Sequence, residues 1–400
     1  MKKAASKPWL RGLLATLLLA ALGMFSLVRA QSGPAVEGGA SGAAKAPGSR
    51  TAQNAQGLDD FASVSPLRGP VDLALSDPAL IGAIDVHEHL DPDAPGTNNQ
   101  VRSIDAMDEA VLARARGLRG FVIKTHQNAG SAGMAYLMRQ HVTPELAIFG
   151  RMALNFSSGG INVAAVHHFV NIKGGWGRIV EMPTVDSLVS TRDETPERMA
   201  ASRPWMLFTP PGFPKYVPTV RNGELLPEVK YLIQEMAKMR TVDSNGRLIL
   251  ATGHATPEEH LLLAREGRAR GLQVLITHSQ LLSIPQMQEV AKLGAFLELT
   301  SFDLARANAR QMLHSNAEKI RAVGAESFVI GSDCGQTGNP LPIDCLAMIA
   351  KGLRAEGITE REIDLIFKDN AARLLGLPAR ILPARGLPEG LPTESKSKNE

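Results

Sequence analysis

The feature that most constrains this chain is an alternation. Short runs rich in β-branched and other apolar residues, at 81–86, 120–125, 146–152, 178–182, 248–252, 274–277, 295–299 and 328–331, are separated by stretches of helical periodicity. Strands that alternate with helices read as βαβ units on a parallel sheet. The clearest helices are expected at 257–270 and 284–293, where Thr256 offers an N-cap, Pro257 suits the first turn and Glu259 completes a capping box. Eight strands joined by right-handed crossovers close into a (β/α)8 barrel, and this TIM barrel is the predicted fold.

Size permits it, because 400 residues exceed the roughly 250 that such a barrel needs. A hydrophobic fraction of 44% against 21% charged residues suits a chain that buries a large core. The formal charge of +3 is nearly balanced, and no dense Lys/Arg cluster is present to track a phosphate backbone. Nucleic acid is therefore excluded as the expected partner, and a small-molecule substrate is expected, with oligomerisation left open.

The ends read differently from the middle. Lys2, Lys3, Lys7 and Arg11 precede an apolar run at 13–28 that ends in Val28-Arg29-Ala30, so residues 1–30 are predicted to be a signal peptide cut before Gln31. The mature protein would then be periplasmic or secreted, with no stable membrane insertion. A Gly/Ala/Ser-rich linker is expected at 31–57, the barrel at 58–377, and a disordered, proline-interrupted tail at 378–400. Export lets Cys334 and Cys345 pair, although spacing alone leaves that open. One connection is out of proportion: 183–223 carries seven prolines and Trp205, and reads as an irregular insertion after strand four that forms an ordered flap over the barrel mouth.

The chemistry sits at the strand ends. Strand one runs into Asp85-Val86-His87-Glu88-His89, and residues i and i+2 share a strand face, so His87 and His89 can hold one metal ion between them. His126 follows strand two, His254 strand five, His278 strand six and Asp333 strand eight. A lone histidine is more often a satisfied core or surface residue. Five in register with an aspartate reverse that expectation, because in a barrel all these ends meet at one face. His141, His167, His168, His260 and His314 lie away from strand ends and serve as internal controls.

This ordered set resembles the amidohydrolase superfamily, as do Ala251-Thr252-Gly253-His254-Ala255-Thr256-Pro257-Glu258-Glu259 and the late helix Lys368-Asp369-Asn370-Ala371-Ala372-Arg373-Leu374-Leu375-Gly376-Leu377, within a likeness that covers about residues 80–377. The resemblance implies that His87, His89 and Asp333 hold a divalent metal, zinc first, while His254 and His278 hold a second ion or act on the substrate. It also implies hydrolysis of an amide, cyclic amide, ester or lactone by a metal-activated hydroxide, with Asp333 as general base and His278 as its catalytic neighbour.

The group that bridges two ions in such enzymes is a carboxylated lysine or a glutamate, and here two residues compete for it. Glu181 ends strand four and offers two oxygens directly, whereas Lys124, in Lys124-Thr125-His126, shares a strand face with His126 and would offer two oxygens as a carbamate. Glu298 and Asp303 are weaker candidates that would orient a ligand histidine, and Arg151 would meet a substrate carboxylate. Two other readings stand beside hydrolysis: a metal-dependent decarboxylase of the same fold, which would release carbon dioxide, and a non-catalytic exported binding protein, which would hold metal without turnover.

Overall fold

The computed structural model describes residues 72–93, 102–126, 130–300, 309–336 and 339–379. The signal peptide, the linker, Asp303 and residues 380–400 of the tail lie outside the described residues. Eight parallel strands form one sheet in sequential order. They are β1 (Ile84–Glu88), β2 (Gly120–Thr125), β3 (Ala147–Ala153), β4 (Gly177–Glu181), β5 (Ile249–Ala251), β6 (Gln273–Ile276), β7 (Phe296–Thr300) and β8 (Phe328–Gly331).

The predicted runs are all strands, with boundaries moved by up to three residues. The largest shift is in β1. Pro78–Leu80 forms a 3-10 turn capped by the Asp77 carboxylate, and Gly82 then adopts a left-handed φ of 80°, so the extended backbone starts only at Ile84. The sheet closes on itself through main-chain bonds past the end of β8: Asp333 N–H donates to His87 O at 2.8 Å, and His89 N–H donates to Cys334 O at 2.9 Å.

A helix follows each strand: α1 (Ala106–Ala115), α2 (Ser131–His141), α3 (Val163–Val170), α4 (Pro227–Lys238), α5 (Pro257–Ala269), α6 (Ile284–Lys292), α7 (Ala309–Val323) and α8 (Pro342–Ala355). Their starts carry local signals. The Asp105 carboxylate caps α1, Asn162 caps α3, and Thr256 and Glu259 form the capping box of α5. Apolar faces of these helices pack on the outside of the sheet.

Inside the barrel a second apolar cluster joins Ile84, Val122, Phe149, Ile179, Leu275, Phe296 and Val329 to Ala371, Ala372, Leu374 and Leu375. The last four belong to a terminal helix, α9 (Asn370–Leu375), which lies against β1 and β8. It therefore packs into the interior cluster where the strands begin, leaving the strand C-terminal ends for the site.

The connection after β4 is more regular than expected. Residues 183–223 hold two short helices, Leu188–Thr191 and Pro196–Ser202, and a 3-10 segment, Pro204–Phe208. A two-stranded hairpin, Val220–Arg221 with Glu224–Leu225, leads into α4. Thr195 caps the second helix and Pro196 starts it, so prolines read as breakers also serve as helix starts. Phe156 of the loop after β3 meets Trp205 and Phe213 at ring-centroid distances of 5.4 and 5.1 Å. The buried Arg203 joins Asp186 at 3.2 Å and the carbonyl of Lys215 at 2.8 Å, tying the segment to itself.

Among the described residues, no helix is long and apolar enough to cross a membrane.

Candidate metal centre

Alternation along the strands builds the site. Two residues above the apolar interior layer, on the same strand face, stand Lys124 above Val122, Arg151 above Phe149, Glu181 above Ile179, Thr277 above Leu275 and Glu298 above Phe296. All five upper residues are fully buried. Arg151 is the centre of this layer. Its Nη2 and Nε donate to Glu181 at 2.5 and 3.1 Å, its Nη1 to Glu298 at 2.9 Å, and its Nη2 also to the Thr277 hydroxyl at 3.0 Å. Burial alone would raise both carboxyls, but the guanidinium beside them holds Glu181 down at about 2 and Glu298 lower still. Arg151 therefore meets two carboxylates of its own chain rather than one of a substrate.

The histidines stand on this floor. The sheet register shifts between Asp85 and Glu88, an irregularity that turns His87 and His89 to the mouth. Gly331 in β8 makes room for them, since a Cβ there would stand 2.6 Å from that of His87. Gly335 is equally constrained, with φ of 115° and the His89 carbonyl where a side chain would begin.

Ring contacts then run in a closed circuit: His87 to His89 at 5.1 Å, His89 to His126 at 4.7 Å, His126 to His254 at 6.0 Å, His254 to His278 at 5.0 Å and His278 back to His87 at 5.6 Å. The five strand-end histidines read from the sequence are thus brought together. Of the controls, His141, His167, His168 and His314 are exposed, and His260 is buried elsewhere with Nδ1 2.7 Å from the Thr252 hydroxyl.

Asp333 joins the circuit from just past the C-terminal end of β8. Its Oδ1 lies 3.1 Å from His87 Nε2 and 3.0 Å from His89 Nε2, and its Oδ2 lies 3.8 Å from His278 Nε2. Ligand atoms of His87, His89 and Asp333 all fall within 4.8 Å of one another, a spacing that suits one cation held by two nitrogens and an oxygen. Asp333 and His278 both hold left-handed backbone, at φ of 53° and 52°. For residues other than glycine this costs about 1 kcal/mol or more each, and such strain gathers at functional sites.

Protonation suits ligation. Burial holds His89, His126 and His254 well below the usual histidine range, with Lys124 or neighbouring histidines adding to it at His126 and His254, so these rings are neutral as metal ligands must be. Burial and Lys124 oppose charge on His87, yet Asp333 and Glu298 together raise it. His87 Nδ1 lies 3.2 Å from Glu298 Oε1, which leaves Nε2 for the cation and fixes the ring, so Glu298 is the orienting acid. His126 and His254 are held the same way by hydroxyls of the long connection, with Nδ1 2.9 Å from Thr184 Oγ1 and 2.9 Å from Ser190 Oγ. The connection therefore touches the site, and its two hydroxyl contacts had no signature in the sequence.

The two bridge candidates differ. Glu181 has both oxygens on Arg151 and accepts from the Thr277 hydroxyl at 3.2 Å. Lys124 lies 3.4 Å from Glu181 Oε1, but its buried Nζ makes no hydrogen bond. Burial lowers its pKa. A buried amine that makes no hydrogen bond, in the floor beneath the histidine circuit, fits a group that acquires two oxygens, so the residues present fit a metal centre. Beside Asp333, Cys334 is joined by a disulfide to Cys345 of α8.

No curated protein matches the sequence. Solved structures of similar shape include a phosphotriesterase homology protein from Escherichia coli (14% identity, TM-score 0.48, 75% of this chain and 99% of that one). Another is an amidohydrolase from Burkholderia multivorans with bound zinc (12%, TM-score 0.45, 74% and 99%). A third is the phosphotriesterase from Mycobacterium tuberculosis (15%, TM-score 0.44, 75% and 95%). One family model matches residues 82–298, more than half of the chain, and by that match the protein belongs to DUF6282, a family of unknown function.

Proposed function

We propose that this chain is an exported, metal-dependent hydrolase of the amidohydrolase type, acting on an amide, cyclic amide, ester or lactone. The observation that carries the reading is the closed circuit of five strand-end histidines around Asp333, with the buried Lys124 amine, which makes no hydrogen bond, in the floor beneath them. A divalent cation at His87, His89 and Asp333, zinc first, supplies the Lewis acidity that brings water into the neutral pH range. Asp333 is the base: it is held ionised by His87 and His89 against the cost of burial, and its second oxygen faces His278. It takes the proton of the attacking water and returns it to the leaving group, while His278, neutral through burial, stays within reach of Asp333 to steady that transfer.

Lys124 is the proposed bridge to a second ion. Its amine, once deprotonated, would add to carbon dioxide with loss of one proton, and the resulting carbamate would supply two oxygen donors. Glu181, engaged by Arg151, is left to hold the floor. Export is supported by the charged and apolar segment of residues 1–30 and by the disulfide, which persists in an oxidising compartment. N-terminal sequencing of the mature protein, expected to begin at Gln31, checks it.

Metal analysis tests the centre. The purified protein is expected to carry one or two equivalents, and His87→Ala or His89→Ala to lose most of it, while His168→Ala keeps it. Equal metal in all of these would overturn the assignment. Lys124→Ala is expected to lose metal and to regain part of its activity with added short carboxylic acids. Such rescue in Glu181→Ala alone would move the bridge to β4.

A further inference from the structure

Arg151 and Arg102 are both buried, and their circumstances differ. Every described contact of Arg151 is with its own chain, and it has no donor to spare for a ligand. Arg102, in the loop after β1, is 8% exposed, and its Nη2 donates to Asp93 Oδ2 at 2.9 Å. Its Nε is buried and has no acceptor. A guanidinium is charged at every working pH and offers planar, forked donors, so a buried N–H left unanswered is costly unless something else answers it.

Main-chain bonds set where this arginine stands. Arg102 forms an antiparallel bridge with Gln336, Ser103 N–H donates to Gly335 O at 2.7 Å, and Arg102 N–H donates to Asp91 Oδ2 at 3.2 Å. Gly335 and Gln336 lie two and three residues after Asp333, so the arginine is stitched to the loop that carries the proposed base. It is close enough that its charge works against protonation of both His89 and His126. A second orphan lies on that side: His89 Nδ1 is buried and also lacks a partner. His89 Nε2 donates to the Asp333 carboxylate, so Arg102 Nε is the orphaned N–H donor on that side.

We infer that Arg102 binds an anionic group of the substrate, a carboxylate in the first place, and so selects acidic substrates for the proposed hydrolase. The assignment rests on the reading of the site given above. Asp93 holds the guanidinium through Nη2, and the unanswered Nε–H would donate to the substrate anion, a charge-assisted bond of the kind arginine forms best. The anion would stand beside the loop that carries Asp333, to which Arg102 is joined through Gln336 and Gly335. The substrate is then an amide, ester or lactone that carries a carboxylate a short distance from the bond to be cut.

Succinate is the probe, titrated calorimetrically into the metal-loaded mature protein, with metal content measured on the same samples. Wild type is expected to bind it, and Arg102→Gln to weaken binding about tenfold or more at unchanged metal content, the loss of one hydrogen bond to a charged group. Arg102→Lys, which keeps the charge and tests for simple misfolding, is expected to fall between the two. Equal succinate affinity in wild type and Arg102→Gln overturns the inference, and so does failure of wild type to bind succinate at millimolar concentration. The two readings separate cleanly. Metal bound by wild type and lost in His87→Ala, with succinate indifferent to Arg102, keeps the hydrolase and removes the anion site. Succinate binding that depends on Arg102 in a protein that takes up no metal keeps the anion site and removes the hydrolase.

Discussion

The two layers of the barrel interior are made by the same strands two residues apart, yet they obey different physics. The lower layer, with Val122, Phe149, Ile179, Leu275 and Phe296 packed on α9, is apolar and held by burial. Its contacts are non-directional, and each large side chain contributes about 1.5–3 kcal/mol. The upper layer, with Lys124, Arg151, Glu181, Thr277 and Glu298, is equally buried but polar. Its geometry is decided by which charge meets which. The lower layer can lose a side chain and keep its shape, whereas the upper cannot lose Arg151 without leaving the buried carboxylates of Glu181 and Glu298 short of their partner. Stability is concentrated where the strands begin, and directed chemistry where they end.

The largest expected effect lies above both layers. Asp333→Asn keeps a donor oxygen for the cation but removes the base, so turnover should fall about 10²- to 10⁴-fold, or about 3–5 kcal/mol of barrier, with most of the metal retained. A variant that turns over within about threefold of wild type, far short of that loss, would remove Asp333 from proton transfer.

Next come two variants that set layer against layer in urea unfolding. Arg151→Met strands Glu181 and Glu298, and should cost about 3–5 kcal/mol of stability together with metal affinity. Leu374→Ala, in the plug, should cost about 2–5 kcal/mol with metal affinity unchanged. If both variants lose metal alike, the layers are not separable.

Acid sharpens the contrast. The folded carboxyl of Glu181 sits at about 2, below its ordinary 4.5. The unfolded chain therefore takes up protons first as the pH falls. This contribution is fully present above about pH 4.5 and drains away as the pH drops toward 2, a loss of about 3 kcal/mol from Glu181 alone. Glu298 is shifted the same way and adds to it. Arg151→Met should flatten the stability profile in that window, and a profile unchanged from wild type would argue against the pairing. The smallest effect is that of Glu298→Gln, which loosens the orientation of His87 and should weaken metal binding about 10- to 100-fold with the fold intact.

The eight strand runs were readable because a strand's period of two and a helix's period of 3.6 are local properties, written in which residues are apolar. The boundary error in β1 came from a 3-10 turn and a left-handed glycine, which hydrophobicity does not report. The long connection was readable as exceptional but not as partly helical, because its prolines served as helix starts as well as breakers.

By itself the sequence determined the (β/α)8 order, the five histidines and Asp333 at strand ends, and hence that a metal centre was the chemistry to expect. It left open whether Glu181 or Lys124 would be unencumbered, what Arg151 would hold, and whether Cys334 would reach Cys345. Only the tertiary structure decided what these side chains touch. Arg151 meets Glu298 across 147 residues and Ser190 meets His254 across 64. Such partners follow from the tilt of the closed sheet and from the path of the long connection, which no local period encodes. Arg102 is the extreme case: nothing around it in the chain marks it, and its orphaned Nε has meaning only once the loops after β1 and β8 are stitched together at the barrel mouth.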